Sequence, residues 1–202
     1  MTKNKSVIVV GGGAAGLMSA IHSAWSGAEV IIFEKNPRPA RKVLITGKGR
    51  CNVTNNCSIE TVMNNTPTNP KFLYSALNRF SPEDTMSFFE MLGVELKTER
   101  GNRVFPVSDK AKDIADALIS CAESAGCSIY EKNIKSLIIE NNTIKGVKDS
   151  NGIEYFADSV ILACGGASYP KTGSDGYGYV LARQAGHTCL LYTSDAADEE
   201  DS

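Results

Sequence analysis

Apolar positions near the start of the chain fall into two unbroken blocks with a helical stripe between them. Ser6–Val10 and Glu29–Glu34 read as strands, the first wholly apolar beyond its serine, and Ala14–Ser26 reads as a helix stopped by Gly27. From Lys35 to Asn56 the periodicity vanishes into Pro, Gly, Arg and Asn, and a loop this long inside a compact domain is functional or disordered. Helices are expected at Asn69–Phe80, with Pro70 in the first turn, and from Ser81-Pro82-Glu83-Asp84, a capping-box-like start, to Gly93. Val94–Thr98 and Asn102–Phe105 read as short strands joined near Gly101, and Ser108 as the cap of a helix running to Ala125. A strand at Ser128–Tyr130 precedes three β segments, Ile134–Glu140, Thr143–Asp149 and Ile153–Ala157. Their junctions, Asn141-Asn142 and Asn151-Gly152, are hairpin signals. Ser159–Ala163 is an apolar strand opening into Cys164-Gly165-Gly166, and Asp175–Ala185 is a last helix.

The first strand–helix junction carries a candidate chemistry. Gly11, Gly13 and Gly16 form GxGxxG, and an acidic residue, Glu34, ends the next strand 18 residues after Gly16. Gly11 permits the tight turn, Gly13 lets backbone approach a pyrophosphate without a Cβ in the way, and Gly16 lets the helix lie close to the sheet. The N–H groups of the first helical turn, where Ala15 lies, face the phosphates at the positive end of the dipole. Glu34 is placed to accept hydrogen bonds from adenosine ribose hydroxyls and disfavours a 2′-phosphate, which leaves NAD or FAD. The order of elements separates these two. A plain NAD domain continues as alternating βαβ, whereas here a β-meander stands between the third parallel strand and the next, as in FAD-binding two-dinucleotide-domain flavoproteins.

Bulk composition excludes more than it assigns. With 202 residues, 42% hydrophobic and 22% charged, the chain can bury a sizeable core as one large or two small domains. No apolar run approaches a membrane span and no export signal opens the chain, so a cytoplasmic protein without a membrane partner is expected. A net charge of −2 gives no electrostatic reason to expect a nucleic-acid partner. The six cysteines form no CxxC pair and read as reduced thiols, and two histidines without ligand-like spacing predict no metal site. Cys51 and Cys57 have one residue too many between them for the Cys-x4-Cys pair of disulfide-reductase flavoproteins, so Cys51 is expected to be a packed thiol. The lone Trp25 is expected to pack, and Arg103 is either a substrate anchor or a surface arginine.

Three further stretches carry a resemblance: Arg41–Asn55, with its Gly47-Lys48-Gly49-Arg50-Cys51-Asn52 run; Gly101–Ser108; and Ala163–Gly178. Together with the GxGxxG they resemble bacterial NAD(P)/FAD-dependent oxidoreductases bearing a Gly-Arg-Cys-Asn signature. Some members are described as bile-acid dehydro-reductases or aminoacetone-oxidase-like enzymes. The resemblance implies an α/β fold, an FAD/NAD(P)-binding Rossmann-like parallel sheet with helices and an antiparallel meander. It also implies FAD as cofactor, NAD(P)H as transient electron donor and a small-molecule substrate.

The expected cofactor contacts combine the fingerprint residues Gly11, Gly13, Ala15, Gly16 and Glu34 with Lys35 and Lys42. Gly49, Arg50, Cys51 and Asn52 follow from the signature loop, where Arg50 offers a fork of donors to phosphate or reduced-flavin charge. A polar loop whose Gly and Asn merely make turns is the alternative there. Ala163, Gly165 and Gly166 lie at the carboxyl edge of the sheet, where such folds place ligands. Asp175 resembles a family Gly-Asp-Gly or simply caps a helix. The resemblance puts the backbone of Ile134 beside the adenine; on its own pattern Ile134 is core. No side chain is singled out as a catalytic acid or base.

The chain is expected to comprise an incomplete FAD-binding domain over residues 1–188, truncated before a substrate domain. Residues 189–202, with five acidic groups from Asp195 onward, would then form a non-native disordered tail. The rival readings are an FAD-dependent tRNA-modifying flavoprotein and a non-catalytic dinucleotide-binding fragment.

Overall fold

The computed structural model describes residues 4–189, so the expected tail beyond Cys189 lies outside the described residues. The described residues divide into two compact units, 4–42 with 118–189, and Val43–Ala117.

The first unit is a Rossmann-like α/β sandwich. Strands β1 (Ser6–Val10), β2 (Glu29–Glu34), β6 (Ser128–Glu131) and β10 (Ser159–Leu162) form a parallel sheet in the order β10-β1-β2-β6. Helix α1 (Ala14–Trp25) buries Leu17, Ala20 and Ile21 and packs on β1 and β2. By strand alternation the opposite sheet face presents Ile8, Val10 and Phe33, which pack with Ile134, Val147 and Leu181. These last three come from the antiparallel meander β7 (Ile134–Glu140), β8 (Thr143–Asp149), β9 (Glu154–Phe156) and from α6 (Tyr177–Gln184). The layers are therefore helix, parallel sheet, meander. The meander falls between the third parallel strand and the fourth, as the order of hydrophobic blocks predicts.

Both hairpins have local causes. Asn141 and Asn142 take φ of 49° and 58°, the paired left-handed geometry of a two-residue type I′ turn. At the second junction the buried Asp149 carboxylate accepts from the N–H groups of Asn151 (2.8 Å) and Ile153 (3.0 Å) and from the Tyr155 hydroxyl (3.2 Å). Burial opposes its ionisation, but these donors and the charge of Lys132 outweigh it and hold the carboxyl below its ordinary range.

The second unit holds the antiparallel sheet β3 (Thr54–Asn55), β5 (Arg103–Pro106), β4 (Leu96–Glu99), in that order, and short helices. Helix α4 (Pro82–Met91) begins with a capping box: Ser81 Oγ accepts from Asp84 N–H, and Asp84 Oδ2 accepts from Ser81 N–H. Three expectations change here. The helix expected over 69–80 is a 3₁₀ turn, Pro70–Leu73, followed by α3 (Tyr74–Arg79). Helix α2 (Ile59–Asn64), capped by Ser58, went unread because it is short and buries no residue. Helix α5 (Ala111–Ser124) starts three residues after Ser108, because Asp109 turns left-handed at φ 56° and Ser108 Oγ instead donates to Asp113. The unit boundary falls within α5.

Candidate functional site

Two of the three fingerprint glycines are required by packing within the first unit. A Cβ on Gly11 would lie 2.5 Å from the Ala163 carbonyl oxygen, and one on Gly16 only 1.8 Å from that of Gly11. The turn is thus pressed between the end of β10 and the first turn of α1. Gly13 is different. Its backbone is extended (φ −74°), and a Cβ built there meets nothing within 4 Å. Neither strain nor internal crowding explains a glycine at 13, and the space beside it is open. Gly13 is the N-cap of α1, which has no side-chain cap and no acidic residue in its first turn, and Ala15 is exposed there. No side chain therefore caps the N–H groups of that turn.

Glu34, buried at the end of β2, sits beside this turn. Its Oε2 accepts from Gly12 N–H (2.7 Å), and its Oε1 accepts from Asn36 N–H (2.9 Å) and Asn36 Nδ2 (2.6 Å). The carboxylate expected to serve a ribose also braces the glycine turn. Asn36 was missed by sequence reasoning, although an Asn two residues after a strand-ending acid, within a Pro-rich turn, is a usable signal. Ala40 was missed as well. It is buried in a left-handed conformation (φ 59°), and its N–H donates to Gly12 O at 2.8 Å.

The loop after β10 meets the same end of the sheet. Ala163 N–H donates to Val10 O (2.8 Å), continuing the parallel pairing, and Gly176 N–H donates to Gly166 O (3.1 Å). Gly165 is left-handed at φ 73°, with Ser174 Oγ 3.0 Å from a Cβ built there. Lys42 Nζ donates to Ser168 Oγ (2.9 Å) and O (3.1 Å), and Lys35 Nζ pairs with Asp175 Oδ2 at 2.7 Å. Burial opposes ionisation of Asp175, but the Lys35 bond, the Tyr177 N–H on Oδ1 and the Lys35 charge together hold it below its ordinary range. Asp175 therefore supports the start of α6 through Tyr177, although Gly176 is the N-cap. Cys164, next in line, is pushed up to about 11: burial dominates, Lys35 opposes it, and Glu34 and Asp175 add to it. Such a thiol stays protonated and is a poor nucleophile. The Ile134 side chain is core, packed with Phe33 and Val147.

Gly49, Arg50, Cys51 and Asn52 lie in the second unit, in a strained loop. Gly47, Lys48, Gly49 and Cys51 all have positive φ, which for Lys48 and Cys51 is a costly choice that clusters at functional segments. The Cys51 thiol is buried, and burial raises its pKa despite a hydrogen bond with Thr46. Arg50 is engaged within its own unit. Its Nε donates to Asp109 Oδ1 (2.7 Å), its Nη2 binds Glu99, and its guanidinium stacks 4.1 Å from the Phe105 ring centroid. These carboxylates engage Nε and Nη2 of the guanidinium, and both raise the Arg50 pKa. Asn52 is exposed, and a Cβ on Gly47 would lie 2.8 Å from its N. Trp25 corrects an expectation: it is 51% exposed on α1, edge-on to His22. Arg103 is exposed and its Nε donates to Arg100 O.

The six cysteines are free thiols. Among the described residues no cluster of His, Cys, Asp or Glu is arranged to hold a metal ion, and no helix is long and apolar enough to cross a membrane.

Comparison with known proteins agrees with the fold. The chain is 36% identical over 182 residues to a 3-dehydro-bile acid delta(4,6)-reductase of Clostridium scindens, covering 89% of this chain and 44% of that protein. It is 29% identical over 183 residues to a ribosomal RNA dihydrouridine synthase of Escherichia coli, covering 91% and 45%. The chain thus spans less than half the length of these relatives. Among solved structures, the 3-ketosteroid-delta4-(5alpha)-dehydrogenase of Rhodococcus jostii RHA1 superposes with a TM-score of 0.69 at 15% identity. That match covers 93% of this chain and 56% of that one, and shows the shared fold. The model of the family described as the HI0933-like protein Rossmann domain matches residues 5–195, and the chain belongs to this family of Rossmann flavoproteins.

Proposed function

We propose that this chain is the FAD-binding portion of an FAD-dependent oxidoreductase acting on a small molecule, with NAD(P)H as electron donor. The observation that carries the reading is Gly13, a glycine that its own surroundings do not require, at the uncapped N-terminus of α1 and beside the buried Glu34. That combination suits an adenine dinucleotide. The pyrophosphate would lie against Gly13 and the N–H groups of the first turn, where Ala15 leaves the surface low. The adenosine ribose would donate to Glu34, and Gly165 and Gly166 would admit the cofactor against backbone at the carboxyl edge of the sheet. Lys35 and Lys42 would hold the loop after β10 through Asp175 and Ser168. FAD, when bound, supplies hydride exchange at its N5.

The named relatives support a proposal for the substrate class. A 3-oxo bile acid with 4,6-unsaturation and the uracil ring reduced by a dihydrouridine synthase share a carbon–carbon double bond conjugated to a carbonyl. We therefore infer reduction of such a bond by hydride addition. A small 3-oxo steroid is the leading substrate type, and a uracil base in RNA is the second reading, favoured by the match to the ribosomal RNA enzyme. The test is direct. The purified chain should be yellow and release FAD, rather than NAD, on denaturation, and Gly13→Val should release it without unfolding. Bound NAD without flavin overturns the proposal.

A further inference from the structure

We propose that Asn36 is a positioning residue that fixes the Glu34 carboxylate for recognition of the adenosine ribose; this rests on the dinucleotide reading above. A carboxylate held by Gly12 N–H alone could still swing its second oxygen. Here Oε1 receives two donors from Asn36, the backbone N–H at 2.9 Å and Nδ2 at 2.6 Å, so the carboxylate plane is set from both sides. The amide is itself oriented. Arg41 Nη1 donates to Asn36 Oδ1 at 2.8 Å, which turns Nδ2 toward Glu34; a flipped amide would set an oxygen against the carboxylate. Space for Nδ2 is provided from the opposite strand of chain. Gly173 has φ +104°, and a Cβ there would stand 2.6 Å from Nδ2. The chain Arg41–Asn36–Glu34–Gly12 thus joins the turn after β2 to the glycine turn after β1.

The arrangement has a counting consequence. Each carboxylate oxygen accepts about two hydrogen bonds. Oε1 already takes two and Oε2 one, which leaves one acceptor position, on Oε2, for a ribose hydroxyl. Loss of a single hydroxyl should therefore carry most of the ribose discrimination, and its direction depends on Asn36.

Titration calorimetry with ADP, 2′-deoxy-ADP and 3′-deoxy-ADP tests this without any assay of catalysis. The wild-type chain should bind ADP and lose about tenfold in affinity with one deoxy analogue and much less with the other, as for one charge-assisted bond. Asn36→Leu, of similar size, should bring all three nucleotides within about twofold of one another. A variant that keeps the wild-type preference overturns the proposal and leaves the dinucleotide reading intact. Absence of ADP and FAD binding by the wild-type chain overturns that reading, and this proposal with it. A merely structural Asn36 would lower all three affinities together and preserve their ratios, which also overturns it. If Asn36→Leu does not fold, Arg41→Gln at the exposed end decides: its preference should narrow, and an unchanged preference overturns the proposal.

Discussion

At the scale of single residues, the three fingerprint glycines separate into two kinds. Gly16 sits where a Cβ would collide with the Gly11 carbonyl at 1.8 Å, an encounter with backbone that no side-chain rotation relieves. Gly16→Ala should therefore destabilise the fold by about 3 kcal/mol, at the upper end for overpacking, seen as a lower urea midpoint with unchanged slope. Gly13 faces open space, so Gly13→Ala should cost only about 1 kcal/mol, as for a weaker N-cap, while lowering dinucleotide affinity disproportionately. Equal losses of stability in the two variants would contradict this division. The motif was legible in sequence because its spacing is local. The partners of Glu34 were only half legible. Its place at a strand end shows in the alternation, but its bonds to Gly12 and Asn36 depend on how two turns meet in space. The ion pairs of Arg50 were illegible for the same reason: Glu99 and Asp109 lie far along the chain from it.

At the scale of elements, what could be read ahead was what repeats. The first two parallel strands, largely buried, and the meander show as unbroken or alternating apolar blocks, and the turn residues between them carry their own geometry. Asn142, left-handed at φ 58° in the two-residue β7–β8 turn, gives a clean test. Asn142→Gly should gain about 0.5 kcal/mol and Asn142→Val should lose about 1 kcal/mol in thermal or urea unfolding, since only the latter strains a left-handed position. Short helices that bury nothing, such as α2, leave no such trace. The cluster that ties the Arg50 loop to β4 makes a second, pH-dependent test. The Arg50 hydrogen bond holds Glu99 below its ordinary range, and Lys97 followed by Arg50 does the same for Asp109. A depressed carboxyl contributes stability that is complete above its unfolded pKa, about 4, and is lost as pH falls through the lower folded value. Arg50→Ala should lower Tm most near neutral pH, and the gap from wild type should shrink between about pH 5 and pH 3. A residual gap from lost stacking on Phe105 should persist. A gap that does not change with pH would show that the carboxylates contribute nothing through Arg50.

At the scale of the whole molecule, the two substrate types differ most in charge. A conjugated 3-oxo steroid is small and apolar, whereas a uracil in ribosomal RNA arrives on a polyanion, and binding one draws chiefly on Lys and Arg neutralising phosphates. This chain has 21 Lys and Arg against 23 Asp and Glu, five of the acidic groups lying from Asp195 onward; without those five the sum is 21 − 18 = +3, a small net charge by itself for holding a polyanion. Two measurements on the same preparation separate the readings. Binding of a ribosomal RNA fragment, followed across salt, should be weak and show a shallow slope of log K against log salt, corresponding to few phosphate contacts. Oxidation of NAD(P)H by a longer protein carrying this chain should be accelerated by a 3-oxo-4,6-diene steroid and not by uridine-containing RNA. Tight, steeply salt-dependent RNA binding together with loss of the uracil 5,6-double bond would reverse the order of the two. Such a result would move the substrate from the small molecule to the nucleic acid while leaving the role of Gly13 and Glu34 unchanged.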